Sequence, residues 1–410
     1  MITEQQTFTA STSLKRSPFF ERTSVLNQSQ AWRRWGGTLS AVQYELTHDN
    51  EYFAIRTRAG LLDISPLYKY LITGSDAVKF MDFIVTRNIH ICKIGQVMYT
   101  PWCDEFGKVI DDGTVQRLSE NKFRLTSAEP NLEWLEFNSA GFDVSITDDT
   151  YQTAALALQG PNSRAILNSV CSDSLNELKF FWLMDTSMEG IPITISRTGY
   201  TGDLGYEIWM ENKYAIEVWD LLMKAGELYG ITPAGLNALD MARIEAGLIL
   251  LDVDYISSRH AIIENQKSSP FELGLGWAVK PKGNDFIGKS SLVQESSQKS
   301  EWTFRGIEIE WDTLEKLYRD SGLAPALPGT AFRTSTPIYH QGKQVGYATS
   351  GTWSPLLKRY IALAHLQSKY SGIGTMLEFE IKVEHFRRTT PAEVVESPFF
   401  NPDRKRSCPE

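Results

Sequence analysis

The chain has 410 residues, with 41 Lys and Arg against 50 Asp and Glu for a formal charge of -9, and 42% hydrophobic residues. That is apolar material enough for a buried core and a length for two or three domains. The acidic balance speaks against nucleic acid and against an anionic membrane as partners, because both select a surplus of Lys and Arg. Four scattered cysteines (Cys92, Cys103, Cys171, Cys408) and no C-x-x-C pair argue against a disulfide framework or a cysteine zinc site.

Taken in chain order, residues 1–14 are polar, rich in Ser and Thr, and lack the apolar core of a signal peptide. They read as a disordered leader on a cytoplasmic protein. No run approaches the roughly 18 apolar residues of a membrane helix. Order is expected to begin near Ser17-Pro18-Phe19-Phe20, with a helix around Asn50 to Ala59 and a strand over Tyr68 to Thr73. A second helix over Ala77 to Val85 has Ser75 or Asp76 available as its cap.

From Gly95 to Ala128 short alternating runs read as a meander: Gln96–Trp102, Lys108–Ile110, Thr114–Leu118 and Lys122–Thr126. Turn chemistry separates them at Asp104-Glu-Phe-Gly107, Asp111-Asp112-Gly113 and Ser119-Glu-Asn121. A second mixed unit over Ala154 to Leu292 holds strands at Ala154–Leu158 and Ile193–Ser196 and a helix after Gly160-Pro161. Helices over Tyr214–Leu228 and Leu236–Leu250 complete it. Residues 291–300 read as a linker, and Trp302 to Pro398 as a small β-barrel. The whole is α+β.

Several apparent motifs carry little. Gly283-Asn-Asp-Phe-Ile-Gly288-Lys289-Ser290 matches a phosphate loop in form, yet Phe286 and Ile287 put bulky apolar groups where backbone N–H groups must cradle phosphate. The six histidines show no metal-ligand spacing, so no metal site is expected, and no G-x-S-x-G elbow is present.

Three segments carry more. Asp112 in Gly107-Lys-Val-Ile-Asp-Asp112-Gly113 either shapes a hairpin turn or presents a carboxylate to a developing cation. Glu207 follows the glycine-rich Arg197-Thr-Gly-Tyr200-Thr-Gly-Asp-Leu-Gly205 and sits in an apolar strand, where a carboxylate is either at a solvated edge or in need of partners. Trp277, in Pro270-Phe-Glu-Leu-Gly-Leu-Gly-Trp277, is most simply core.

Together these strings resemble the aminomethyltransferase family, the T-protein of the glycine cleavage system and its tetrahydrofolate-dependent relatives. The resemblance runs from about Ser17 to Phe400 in family order. Its markers are Gly60-Leu-Leu-Asp-Ile-Ser65, Gly107-Lys-Val-Ile-Asp-Asp112, Leu158-Gln-Gly-Pro161 and Ser196 to Glu207, followed by Asp240-Met-Ala-Arg-Ile-Glu-Ala-Gly247, Pro270-Phe-Glu-Leu-Gly-Leu275, Phe286-Ile-Gly-Lys289 and Gly346 to Pro355.

The resemblance implies a three-lobed cloverleaf with folate in a central channel. Residues 15–292 would form the folate-binding region as two interleaved lobes, 301–398 a C-terminal barrel and 399–410 a tail. It implies Asp112 as the catalytic carboxylate and Glu207 as the acceptor of the pterin N3–H and 2-amino group. Tyr200, Tyr99, Trp277 and Arg243 would complete the cofactor site.

Implied too is a small one-carbon donor, with a lipoylated carrier protein as partner in the glycine-cleavage version. Two alternatives are a demethylase acting on a sulfonium, amine or aryl methyl ether and a non-catalytic folate-binding regulator. The regulator is disfavoured by the retained Asp112 and by a single late cysteine, Cys408. Two departures stand out: Asp63-Ile-Ser-Pro66-Leu67-Tyr68 where the family reads Asp-Val-Ser-His-Met-Gly, and Leu239 where it carries a folate-contacting Arg. The lost guanidinium weakens the glycine-cleavage substrate more than it weakens folate. Arg404-Lys-Arg406 is expected as a solvated basic tail, with the folate glutamate as its other possible contact.

Overall fold

The computed structural model describes residues 14–280 and 285–407. Apart from Leu14, the expected leader lies outside the described residues, as do Gly283 and Cys408. Two sheets, a closed barrel and a short three-stranded hairpin layer make up the architecture. The first sheet is antiparallel and runs in the order Val97–Cys103, Val109–Ser119, Lys122–Ser127, Tyr68–Thr73, Ser145–Asp148. The second has six strands in the order Leu183–Met188, Ile191–Ser196, Gly205–Glu211, Thr153–Gln159, Ala59–Asp63, Ile231–Pro233. Only its last pair is parallel.

Side-chain alternation sorts the residues of each sheet onto two faces. In the first sheet Ile110, Val115, Phe123 and Leu125 pack on the helix Ala77–Ile84. In the second, Leu156, Leu158, Ile195 and Ile208 pack under the helices Ser163–Val170 and Ala215–Gly226. On its other face the second sheet packs Leu62, Ala155, Ala157 and Trp209 against the helix Leu236–Glu245. The Arg124 guanidinium of the first sheet lies 5.4 Å from the Trp209 ring of the second. The six strands between Trp302 and Val395 close into the barrel.

Several expectations are corrected. Asp111-Asp112-Gly113 is no turn: residues 109–119 form one continuous strand, with Pro101 opposite Asp112 and Thr100 opposite Gly113. The reason is close approach, since a Cβ on Gly113 would lie 1.9 Å from the Thr126 carbonyl oxygen. The glycine is there for the neighbouring strand. The expected linker over 291–300 begins as the helix Lys289–Ser296, because Leu292 is fully buried against Cys103, Val109 and Phe286. The helix from Leu236 stops at Glu245, and Gly247 adopts a left-handed φ of 64° just beyond it. Neither Ser75 nor Asp76 caps its helix: Ser75 donates to Asp143, and Asp76 binds Lys79 and the Asp143 N–H.

The tail is docked in part, at Arg404 and Lys405, while Arg406 is exposed as expected. Arg404 makes a two-pronged pair with buried Asp203, at 2.6 and 2.8 Å, and Arg197 donates to the backbone carbonyls of Arg404 and Lys405.

Candidate active site

Asp112 and Tyr99 of the first sheet, Tyr200 and Glu207 are each half-buried. Protein surrounds them, yet solvent reaches each one, which is the geometry of a recess that takes a ligand.

Asp112 is the best-supported group in it. Tyr99 donates to Oδ2 at 2.8 Å, and Tyr255 donates to Oδ1. Its own N–H donates to Asp111 Oδ1 at 2.8 Å, and Asp111 in turn is held by Asn131 and the Glu129 N–H. Burial raises the Asp112 pKa above the usual carboxylate value, and Asp254 adds to that; the two tyrosine hydroxyls oppose the rise by stabilising the anion. Continuous strand geometry is what makes this possible. Tyr99 and Asp112 project from adjacent strands on one face.

Glu207 lies on an interior strand, between Ala157 and Ser196, and not at an edge. Thr198 donates to its Oε2 at 2.7 Å. Burial raises its pKa, opposed by the Thr198 and Ser196 hydroxyls, and no cation pairs with it among the described residues. A carboxylate so placed wants neutral donors.

The loop before it is shaped by Gln159 of the Leu-Gln-Gly-Pro string. The Gln159 side chain is fully buried and lies where a Cβ on Gly199 or Gly205 would stand, 2.1 and 2.2 Å away. It donates to the Thr198 and Tyr206 carbonyls and accepts from Thr201.

Trp277 is 53% exposed, and so is not core. It stacks on Tyr99 with ring centres 6.0 Å apart, and the Arg87 guanidinium lies 5.4 Å from its own ring centre. Tyr200 donates to the Ile249 carbonyl and lies close enough to Arg243 and Asp112 for both to influence its titration.

Arg243 is fully buried, bound to Asp240 at 2.8 Å, to Asp254 and to the Leu248 carbonyl. Burial lowers its pKa, but Asp254, Tyr200 and Asp240 together outweigh burial and leave it raised. Its Nη2 has no hydrogen-bond partner among the described residues. Leu239 packs at the edge of the Leu62, Ala238, Met241 cluster, and Asp240 beside it is paired with Arg333 at 2.7 Å.

Sequence reasoning missed Tyr255, Gln159 and Arg333. Gln159 was inside a marker string, whereas Tyr255 and Arg333 sit in irregular segments with no local pattern. Among the described residues no three metal-ligating side chains gather at one point, and no helix is long and apolar enough to cross a membrane.

An α+β body with a barrel at its C-terminal end and two half-buried carboxylates defines a fold with a candidate ligand site. Comparison with known proteins places the chain within it. The GCVT N-terminal domain matches residues 21–283, and the glycine cleavage T-protein C-terminal barrel domain matches residues 321–401.

An aminomethyltransferase of Halalkalibacterium halodurans is 33% identical over 394 residues, covering 95% of this chain and 99% of that protein. One of Alkaliphilus metalliredigens is 32% identical over 378 residues, covering 91% and 94%. The crystal structure of glycine cleavage system aminomethyltransferase T from Bartonella henselae shares the fold, with a TM-score of 0.80 at 24% identity over 95% of this chain and 99% of that one. The chain belongs to the aminomethyltransferase family of the glycine cleavage T-protein type.

Proposed function

We propose that the protein transfers an aminomethyl-derived one-carbon unit to tetrahydrofolate, with a lipoylated carrier protein as the donor's bearer, in the cytoplasm. The observation that carries this reading is Asp112, held at both oxygens by Tyr99 and Tyr255 in a chain of the aminomethyltransferase family. The three described cysteines are free thiols, in keeping with a reducing compartment.

The residues fit the folate. Glu207, acceptor-only and without a cation partner among the described residues, suits the paired donors of a 2-amino-4-oxo ring. The Tyr99–Trp277 stack offers aromatic surface to a flat ligand. Arg333 brings a guanidinium to Asp240, the residue after Leu239. When bound, tetrahydrofolate supplies the nucleophilic nitrogen that takes up the carbon unit.

The chain's part is to position and to stabilise charge. Glu207 orients the ring, and Asp112 sets a fixed negative charge where positive charge develops. Tyr99 and Tyr255 hold the carboxylate in one orientation, so no reorganisation is needed at the moment of transfer.

A product assay tests the reading. With tetrahydrofolate and an aminomethyl-loaded lipoyl protein, the wild type should form methylene-folate. Asp112→Asn should lose activity on the order of 100-fold or more while binding folate nearly as well. Unchanged turnover in that variant sinks the catalytic assignment. Methyl-folate from a sulfonium, amine or aryl methyl ether, with none from the lipoyl carrier, replaces this donor with the demethylase one. Glu207→Gln should weaken folate binding by roughly tenfold to a hundredfold, measured calorimetrically.

A further inference from the structure

Tyr255 donates to Asp112 Oδ1 from a stretch with no regular structure, since residues 246–263 belong to no helix or strand. Its hydroxyl stands at the far end of a rigid ring. A small rotation of the backbone would carry it off the carboxylate oxygen, and a hydrogen bond weakens steeply with distance and angle. What holds the backbone at Tyr255 therefore bears on Asp112.

The chain closes a tight turn just before it. Asp254 N–H donates to the Leu250 carbonyl at 2.7 Å, and Asp252 N–H to the Tyr255 carbonyl at 2.8 Å. Three barrel residues then fix the turn in place. Thr349 and Ser350, on the strand Lys343–Ser354, both donate to Asp254 Oδ1. His365, on the strand Arg359–Gln367, meets the Asp254 carbonyl at 2.6 Å through Nε2.

That carbonyl is half of the planar peptide unit that leads into Tyr255, so its direction fixes where Tyr255 begins. A carbonyl only accepts, so Nε2 carries the proton. The imidazole is itself held, edge-on to Phe304 and stacked on Tyr347, with ring centres 5.0 and 5.2 Å away. Burial lowers its pKa, which keeps the donating ring neutral. Ile361, Leu363 and His365 alternate along their strand and share a face. The first two belong to the apolar cluster that contains Tyr255, and the third binds the peptide before it.

We propose that the barrel takes part in the reaction by positioning: His365 and Thr349, with Ser350, set the Asp254–Tyr255 peptide so that the Tyr255 hydroxyl meets Asp112. They are positioning residues that act through Tyr255. The inference rests on the reading of Asp112 as the catalytic carboxylate.

A double-mutant cycle on the full chain tests it, with kcat read as methylene- or methyl-folate formed at saturating substrates. Thr349→Val removes a hydroxyl and keeps the side chain's shape. His365→Leu removes the donor to the carbonyl, and His365→Gln restores an amide donor. Thr349→Val and His365→Leu should each lower kcat about threefold to tenfold, and His365→Gln by less, with KM for tetrahydrofolate unchanged. In a Tyr255→Phe background the same changes should cost less than about twofold, because the hydroxyl they place is gone. A loss in either variant that vanishes in that background supports the proposal, so Thr349→Val decides alone if His365→Leu does not fold. Equal losses in both backgrounds overturn it, as does wild-type kcat in the barrel variants or in Tyr255→Phe. If Asp112→Asn is slow while the barrel variants fail in these ways, only this proposal falls. If the wild type forms neither product, or Asp112→Asn turns over normally, the reading of Asp112 fails and takes the proposal with it.

Discussion

Asp112 is a single carboxylate whose usefulness depends on its neighbours. Burial pushes its pKa up and the hydroxyls of Tyr99 and Tyr255 push it down, so the ionised form at neutral pH depends in part on two phenols. Tyr255→Phe removes one donor and leaves the ring's packing. The anion loses stabilisation, the Asp112 pKa rises further, and the acid limb of the pH–rate profile moves to higher pH. A merely structural role for Tyr255 would lower the rate without moving that limb. Tyr99→Phe should shift it in the same direction, and at high pH both variants should recover more of the wild-type rate than at low pH. Asp112 stood out in the sequence because its neighbours form a recognisable string. Its second hydroxyl was not. Tyr255 reaches the site from an irregular stretch 143 residues away along the chain, and such a contact leaves no local pattern.

At the scale of elements, the most instructive error concerned a strand. Asp-Gly between two alternating runs is a strong hairpin signal, yet residues 109–119 run straight through it. The glycine answers a constraint from the adjacent strand, where the Thr126 carbonyl leaves no room for a Cβ. Tertiary packing chose the residue, and local propensity was overruled.

Gly113→Ala should therefore push the strands 109–119 and 122–127 apart. We expect a loss of about 1–3 kcal/mol in a urea titration, with a larger proportional loss of activity because Asp112 is the next residue. Wild-type stability in that variant would show that the strands close up at no cost. Strands and helices with clean periodicity, such as Tyr68–Thr73 and Ala77–Ile84, were found within a residue or so of their ends. The helix Lys289–Ser296 was hidden by its serines, since one buried side chain, Leu292, anchors it.

At the scale of the whole molecule, buried charge crosses the seam between body and barrel. Asp254 is 1% exposed and accepts from five directions. Arg243 and the Leu250 N–H come from the body, Thr349 and Ser350 from the barrel strand Lys343–Ser354, and His365 Nε2 meets its backbone carbonyl. Adjacent strand residues normally face opposite ways. Here a bulge between Ala348 and Ser350 turns both hydroxyls to the same carboxylate oxygen. Glu245 repeats the device, joining Tyr52 and Arg56 of the body to Ser354 of the barrel.

None of this could be read from spacing, because the partners come from segments about 100 residues apart and their charges look like surface residues until the fold buries them. Asp254→Ala would leave Arg243 buried with Asp240 as its one remaining carboxylate, and Asp240 is already shared with Arg333. Breaking a buried pair from one side costs about 3–5 kcal/mol. The loss falls on the seam, so unfolding in denaturant should split into two transitions, with the barrel parting from the body first. A single transition at the wild-type midpoint would show that apolar contacts such as Ile244 with Ile361 and Leu363 carry the seam without the ion network.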